Sequence, residues 1–295
     1  MAILEALQAH LASGATTLAR AWAITRHDGV VLGFTDHDRD LSFDGVTFRA
    51  ETGMSARALS QSTGLSVDNS AALGALSSEA ITEDDVAAGR YDAASLCIWL
   101  VNWADVRQRL ILFVGSLGEF TRVDGGFEVE IRGQAEALNQ PLGRVYQSPC
   151  QAVLGDAACG FDATRPGFST LVTAGLIEAR RIFRFEAMNE FQPRWFEHGR
   201  LEVLSGPAAG LFGVIKADRQ EAGVRVVELW SEIRGAVGPG DSLRLIAGCD
   251  RSADTCRWKF HNFANFRGFP HVPGEDWLMA YPSQSGVNDG GSLNR

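Results

Sequence analysis

Apolar and polar residues alternate along much of this chain with the two-residue period of half-buried β-strands. In residues 127–131, for example, Phe, Val and Ile alternate with two Glu residues after a turn signal of Asp and Gly. Two further turn signals, Asp28-Gly29 and Asp44-Gly45, each separate a pair of apolar runs. Because glycine there can adopt a positive φ, both segments predict β-hairpins.

The full pattern predicts mostly strands with a few short helices. Helices are expected over residues 2–12, over residues 83–91 with Thr82 as the N-cap, and briefly over residues 134–138 before Pro141. Strands are expected at residues 22–26, 30–35, 41–43, 46–48, 94–102, 110–115, 127–131, 170–177, 181–187, 200–203, 213–217, 224–229 and 242–246. Many short strands without long helices between them are typical of β-barrel or β-sandwich domains, so the predicted fold class is mainly β.

The chain length of 295 residues accommodates two domains that each bury a core. A boundary is expected at residues 140–150. It separates an N-terminal β-rich domain over residues 1–145 from a C-terminal β-rich domain over residues 146–280, which carries four of the cysteines. Residues 281–295 are polar and rich in Gly, Ser and Asn, and we expect them to form a flexible tail.

Charge and targeting signals narrow the classes of function. The net charge is −9, whereas a protein that grips nucleic acid phosphates normally carries a positive charge. The N-terminus lacks the basic start of a signal peptide, and no apolar run approaches the ~20 residues that span a bilayer. We therefore expect synthesis in the cytoplasm and no stable membrane insertion. In that compartment cysteines serve as thiols, metal ligands or catalysts more often than as structural disulfides.

Four of the five cysteines form two pairs. Eight residues separate Cys150 from Cys159, and six separate Cys249 from Cys256. Both pairs lie among Gly and Asp residues, in loops that can turn two sulfurs toward one point. We expect the four to meet at one metal centre that holds a domain together. Cys97 lies alone in an apolar run and is expected to be a buried core residue.

Three chemistries remain open on spacing alone. Two disulfides are arithmetically possible, but the compartment disfavours them. A structural zinc site usually takes ligand pairs only about two to four residues apart, which is closer than the pairs here. An iron–sulfur cluster is a larger object that wider loops can surround, and four cysteines are its usual ligands.

Other candidate sites are weaker. Asp36, His37, Asp38 and Asp40 could bind a divalent cation, although a polar hairpin turn explains them as well. The two histidines that flank the aromatic stretch after Cys256 could donate to a cluster. That stretch is itself expected to pack around the centre; it contains Trp258, Phe260, Phe263, Phe266 and Phe269. We find no P-loop, dinucleotide-binding glycine pattern, nucleophile elbow or zinc-protease helix, so catalysis has no obvious residues.

Residues 249–274, CDRSADTCRWKFHNFANFRGFPHVPG, resemble the C-terminal domain of the tail-tip hub proteins of long-tailed phages and phage-like particles. Residues 33–45, GFTDHDRDLSFDG, resemble the N-terminal half of the same family. The resemblance extends from about residue 15 to 280. It is nearest to the hub, or baseplate, proteins of alphaproteobacterial gene transfer agents.

This resemblance implies a structural, non-enzymatic hub whose C-terminal domain holds an iron–sulfur cluster of the 4Fe–4S type. The implied ligands are Cys150, Cys159, Cys249 and Cys256. The family also implies a homotrimeric ring of β-barrel domains that links a sixfold distal tail ring to a threefold tip protein. DNA would pass through the lumen of that ring.

The partners implied in the same way are the distal tail protein, a tip, receptor-binding or central baseplate protein, and a cell-wall peptidase. The implied location is the tail baseplate of a virion or gene transfer agent particle. Two alternatives from other classes are an iron–sulfur redox or sensor protein and a tail-associated cell-wall hydrolase.

Overall fold

The computed structural model describes residues 2–50, 69–70, 81–123, 126–134, 143–186, 188 and 190–272. The chain divides into two compact units. The first comprises Met1–Leu142, Ser205–Leu211 and Ile233–Val237, and the second comprises Gly143–Leu204, Phe212–Glu232 and Gly238–Arg295. The sequence predicts a single division, after residue 145. The tail expected at residues 281–295 lies outside the described residues.

Two short segments of the C-terminal half group with the first unit because charged side chains join them to it. Arg90 Nη2 donates to Pro207 O at 2.8 Å, and Arg234 forms an ion pair with Asp92 at 2.9 Å. These partners are more than 100 residues apart in the chain. Local sequence therefore carries no sign of the grouping.

The described part of the first unit contains two helices and eight strands. They are α1 (Ala2–Ala12), α2 (Glu83–Ala87), β1 (Leu18–Thr25), β2 (Val31–Thr35), β3 (Leu41–Phe43), β4 (Val46–Arg49), β5 (Asn69–Ser70), β6 (Ser95–Asn102), β7 (Arg109–Val123) and β8 (Gly126–Gly133). The strands form one sheet in the order β3-β4-β2-β1-β6-β7-β8-β5. β2 and β4 pair in parallel, and the other neighbours pair antiparallel.

The described part of the second unit contains a seven-stranded antiparallel sheet and two short helical turns. Its elements are β9 (Ser169–Thr173), β10 (Leu176–Glu178), β11 (Ile182–Glu186), β12 (Arg200–Val203), β13 (Phe212–Glu221), β14 (Val224–Leu229), β15 (Ser242–Ile246), a π-helical turn (Thr255–Lys259) and a 3₁₀ turn (Phe263–Asn265). The strand order is β10-β11-β14-β13-β12-β15-β9. The predicted mainly β class with a few short helices is thereby confirmed.

Local sequence accounts for most of these elements. Asp44 and Gly45 have φ of 51° and 76° and connect β3 to β4 as a tight hairpin, as predicted. The Thr82 hydroxyl accepts from Asp85 N, which confirms the predicted N-cap. Burial alternates along β12 and the start of β13 because one face of that sheet lies on the core and the other is exposed.

Two predicted elements have different bounds in the structure. The helix expected at residues 83–91 ends at Ala87, just before Gly89 at φ 72°. The single strand expected at residues 170–177 is two strands, because Ala174 N bonds to Asp241 O and turns the chain away. The two resulting strands, β9 and β10, lie at opposite edges of the sheet. No helix among the described residues is long and apolar enough to cross a membrane.

Candidate four-cysteine site

The four paired cysteines lie in the second unit, in segments without regular strands. Cys150 and Cys159 belong to the loop that precedes β9. Cys249 follows β15 by three residues, and Cys256 is the second residue of the π-helical turn. Single π-helical turns are rare and occur often at functional sites. The cysteines are thus carried by loops next to the edge strand β9 and its neighbour β15.

Hydrogen bonds join the two cysteine loops. Cys150 N donates to Arg251 O at 2.8 Å, which connects the first pair to the segment between Cys249 and Cys256. Asn262 Nδ2 donates to Cys159 O, also at 2.8 Å. Phe269 N donates to Gln147 O at 2.9 Å. The segment after Cys256 therefore lies along the loop of the first pair.

Two N–H groups point at cysteine sulfurs. Arg267 N lies 3.3 Å from Cys150 Sγ, and Asn262 Nδ2 lies 3.5 Å from Cys159 Sγ. Such donors are expected around thiolates that bind a metal or cluster, because they offset the negative charge on sulfur. Neither donor was singled out from the sequence. Their partners lie 117 and 103 residues away, so no local signal could have found them.

The four thiols lie within electrostatic range of one another. Burial raises the pKa of Cys256 to about 11, and the neighbouring thiols Cys249, Cys150 and Cys159 act in the same direction. Burial also raises the pKa of Cys249, with smaller contributions from Asp250, Cys159 and Cys150. A metal or cluster that binds these cysteines as thiolates must therefore offset the negative charge that deprotonation leaves on their sulfurs.

The thiols do not form a ready-made site for a single metal ion. Within the described ranges, no group of three or more His, Cys, Asp or Glu side chains could hold a metal ion. All four cysteines are present as free thiols. The arrangement thus consists of four neighbouring sulfur donors with two N–H groups directed at them.

Aromatic residues pack beside the site, although they are only partly the ones expected. Phe260 is buried with Phe161 and Ala247, and Cys159 and Cys249 are packed against this cluster. Phe161 and Phe260 are in edge contact at 5.0 Å between ring centroids. The expectation for Trp258 was wrong, because 68% of its surface is exposed. Trp258 lies within the π-helical turn and Phe260 follows its end, and only Phe260 reaches the core.

The other sequence candidates do not join this site. Asp36 Oδ1 accepts from Arg20 N at 2.6 Å, and Asp40 Oδ1 accepts from Ala50 N at 2.9 Å. His37 Nδ1 accepts from Arg39 N at 3.0 Å. These bonds are those of a polar turn. In the same part of the chain that the structure describes, these residues form no group that could hold a metal ion.

Cys97 was expected to be fully buried, and it is only half-buried. It lies in β6 between Ala23 of β1 and Val114 of β7. A central strand position leaves the residue partly exposed here because the side chains that flank it on its face of the sheet are small or themselves exposed. Burial nevertheless raises the pKa of its thiol. Cys97 belongs to the first unit, apart from the paired cysteines.

Comparison with known proteins shows what the chain is similar to. The family model described as "Baseplate hub protein, N-terminal attachment domain" matches residues 4–162, and the one described as "Phage conserved hypothetical protein BR0599" matches residues 194–276. A chain of the solved structure "Virion of native gene transfer agent (GTA) particle" is 55% identical, with a TM-score of 0.89. That match covers 98% of this chain and 99% of the other. No curated protein matched.

Proposed function

This chain belongs to the baseplate hub protein family, and from that premise we propose that it is a structural subunit of the tail baseplate of a gene transfer agent particle. The likeness to a gene transfer agent virion chain over nearly the whole length is the observation that carries the proposal. At that level of identity the two chains share their fold. A mainly β fold suits the role because paired strands make rigid walls.

We propose further that copies of the chain form a ring, with three copies per baseplate, which joins the distal tail protein to the tip or central baseplate protein. A peptidase that opens the cell wall is a further proposed neighbour. The net charge of −9 supports a lumen that DNA crosses without binding, because phosphates and an acidic wall repel each other. In this role the chain carries out no reaction of its own.

The four-cysteine site is proposed to hold a 4Fe–4S cluster that stabilises the second unit. Four cysteines are the usual ligands of such clusters, and the donors Arg267 N and Asn262 Nδ2 supply the N–H···S bonds that often accompany them. A cluster places several metal and sulfide atoms between its cysteines. Its four ligands therefore need not converge on one point, as the ligands of a single ion must. When bound, the group would supply covalent cross-links between the two cysteine loops.

The cluster would stabilise the fold through chain entropy. Cys150 and Cys256 are separated by about 100 residues, and joining loops that distant removes conformations from the unfolded chain. The protein's own residues already hold the loops together through the Cys150 N to Arg251 O bond. The same bond would keep the two loops side by side around a cluster.

Anaerobic purification of the full chain tests the cluster. We expect a brown protein with a broad absorption band at the violet end of the visible spectrum, together with bound iron and acid-labile sulfide. Replacement of Cys249 by Ser should abolish iron binding and make the second unit insoluble or easily proteolysed. Cys97→Ser is the matched control and should retain wild-type iron. A colourless protein that binds zinc stoichiometrically would refute the cluster without touching the baseplate assignment.

Electron microscopy of particles tests the baseplate assignment. Particles produced with a tagged copy of this chain should carry the tag at the tail end distal to the head. Particles that lack the chain should have tails without an organised tip. A tag found on the head, or normal tails without the chain, would refute the structural role whatever the metal content.

A further inference from the structure

Lys259 occupies an unusual position next to the four cysteines. It is the last residue of the π-helical turn that contains Cys256, and it is one of only two lysines in the chain. Its side chain is partly buried between two aromatic rings. Nζ lies 4.4 Å from the ring centroid of Trp195 and 5.4 Å from that of Phe260. A cation there is attracted to the ring faces and is shielded from water.

The ammonium of Lys259 connects three segments of the second unit. Nζ donates to Gly248 O at 2.8 Å and to Trp195 O at 2.6 Å. Gly248 directly precedes Cys249, so the first bond fixes the backbone on which that cysteine is carried. Gly248 N also donates to Trp195 O, at 3.0 Å. One lysine therefore ties the Cys249 loop and the Trp195 loop to the turn that holds Cys256.

The charge of Lys259 also faces the site. Burial lowers the pKa of the ammonium to about 8, and Cys249, Asp250 and Asp218 act in the opposite direction. The influence of Cys249 means that a thiolate there attracts the ammonium. Four thiolates around a cluster would carry more negative charge than the neutral thiols do, and the attraction would increase accordingly.

We infer that Lys259 is the positioning residue of the four-cysteine site, which sets the Cys249 loop against the Cys256 turn and supplies the positive charge that thiolate ligation requires. The inference rests on the proposed iron–sulfur function. Lysine suits the position because its compact ammonium can donate to two carbonyls at once, whereas the planar guanidinium of arginine fits a fork of acceptors.

Two substitutions separate the two parts of this role. Lys259→Met keeps the length and apolar character of the side chain but removes both the charge and the two hydrogen bonds. Lys259→Arg keeps the charge but changes the geometry of the donors. Lys216→Met is the matched control, since it removes the only other lysine, which lies in the same unit and pairs with Glu228.

The measurements are made on the full chain after anaerobic iron and sulfide loading. They are the rate of iron loss to a chelator and the midpoint potential of the cluster in a redox titration. For Lys259→Met we expect iron loss about tenfold faster than in the wild type, as for other residues that support metal ligands. We also expect a more negative midpoint potential, because the lost positive charge favoured the extra electron. Lys216→Met should match the wild type in both.

The arginine variant tests the hydrogen-bond geometry separately from the charge. Lys259→Arg should keep the wild-type midpoint potential and still lose iron faster. If Lys259→Met does not fold, Lys259→Arg carries the test through its rate of iron loss. Wild-type rates and potentials in both Lys259 variants would overturn the inference and leave the cluster in place. A wild-type chain that takes up no iron would overturn the cluster proposal and the role of Lys259 toward it.

Discussion

Arg225 and Asp218 form an ion pair whose two side chains are both fully buried. Arg225 Nε lies 2.7 Å from Asp218 Oδ1, and Nη2 lies 2.9 Å from Oδ2, so the pair is bidentate. The same guanidinium donates to three carbonyls of the loop before β12, Met188 O, Phe191 O and Gln192 O. This loop continues into Trp195, which accepts from Lys259. The pair thus stabilises the loop to which Lys259 donates beside the cysteine site.

We predict that Arg225→Met strongly destabilises the second unit. The substitution preserves much of the apolar volume but leaves a buried carboxylate whose remaining donor is Phe196 N, at 2.9 Å. Removing one partner of a buried pair costs about 3–5 kcal/mol, and the three carbonyls also lose their donor. At about 2–4 °C per kcal/mol for a domain of this size, the unfolding midpoint should fall by roughly 10 °C.

Thermal and urea unfolding followed by circular dichroism measure the effect. Arg180→Met is the matched control, because its ion pair with Glu232, at 2.8 Å, is exposed on both sides and should contribute no more than about 1 kcal/mol. Combining Arg225→Met with Asp218→Leu should recover part of the loss, since no unpaired charge then remains buried. Equal midpoints for Arg225→Met and Arg180→Met would show that the reasoning from burial is wrong.

Three further predictions follow from single contacts. Gly248→Ala should prevent folding of the cysteine loop, because its Cβ would lie 1.6 Å from Glu197 O, whereas Gly143→Ala meets nothing within 4 Å and should melt as the wild type does. Glu228→Gln should destabilise at pH 7 and progressively less in acid. The hydrogen bond from Lys216 and the nearby cations lower the Glu228 pKa from its ordinary 4.5, so its contribution is present above 4.5 and is lost as the pH falls through the folded-state pKa. Unfolding at pH 7, 5 and 3 checks this, and a constant difference would contradict it. Thr82→Ala should cost about 1 kcal/mol through loss of the N-cap bond, as measured by the melting of the first unit.

Period-two alternation and turn residues determined the strands before any tertiary contact was known. These signals are local, because alternating side chains face opposite sides of a strand and Asp-Gly turns adopt positive φ without help from the rest of the chain. They predicted the β3–β4 hairpin, while helical spacing predicted α1 and an N-cap residue predicted the start of α2 at Thr82. Residue type and spacing likewise predicted that the four paired cysteines share one site, and that prediction awaits its test.

The order of the strands came only from the tertiary structure. β4 pairs in parallel with β2 although β3 separates them in the chain, and β9 pairs with β15 across about 70 residues. Period-two patterns specify which face of a strand is buried, but they do not determine which strand pairs with it. For the same reason the segments Ser205–Leu211 and Ile233–Val237 could not be assigned to the first unit from the sequence.

The surroundings of the cysteines were likewise decided by folding. The sequence named the four sulfurs, but the N–H groups that face them come from residues more than 100 positions away. Nothing in the local sequence marks Lys259, yet in the folded chain its ammonium is partly buried and bonds to two carbonyls, while the adjacent Trp258 is exposed. Whether a side chain can act as a metal ligand depends on its residue type, which is read directly from the sequence. The direction of donors and charges depends on which distant segments pack together, and only the folded chain determines that.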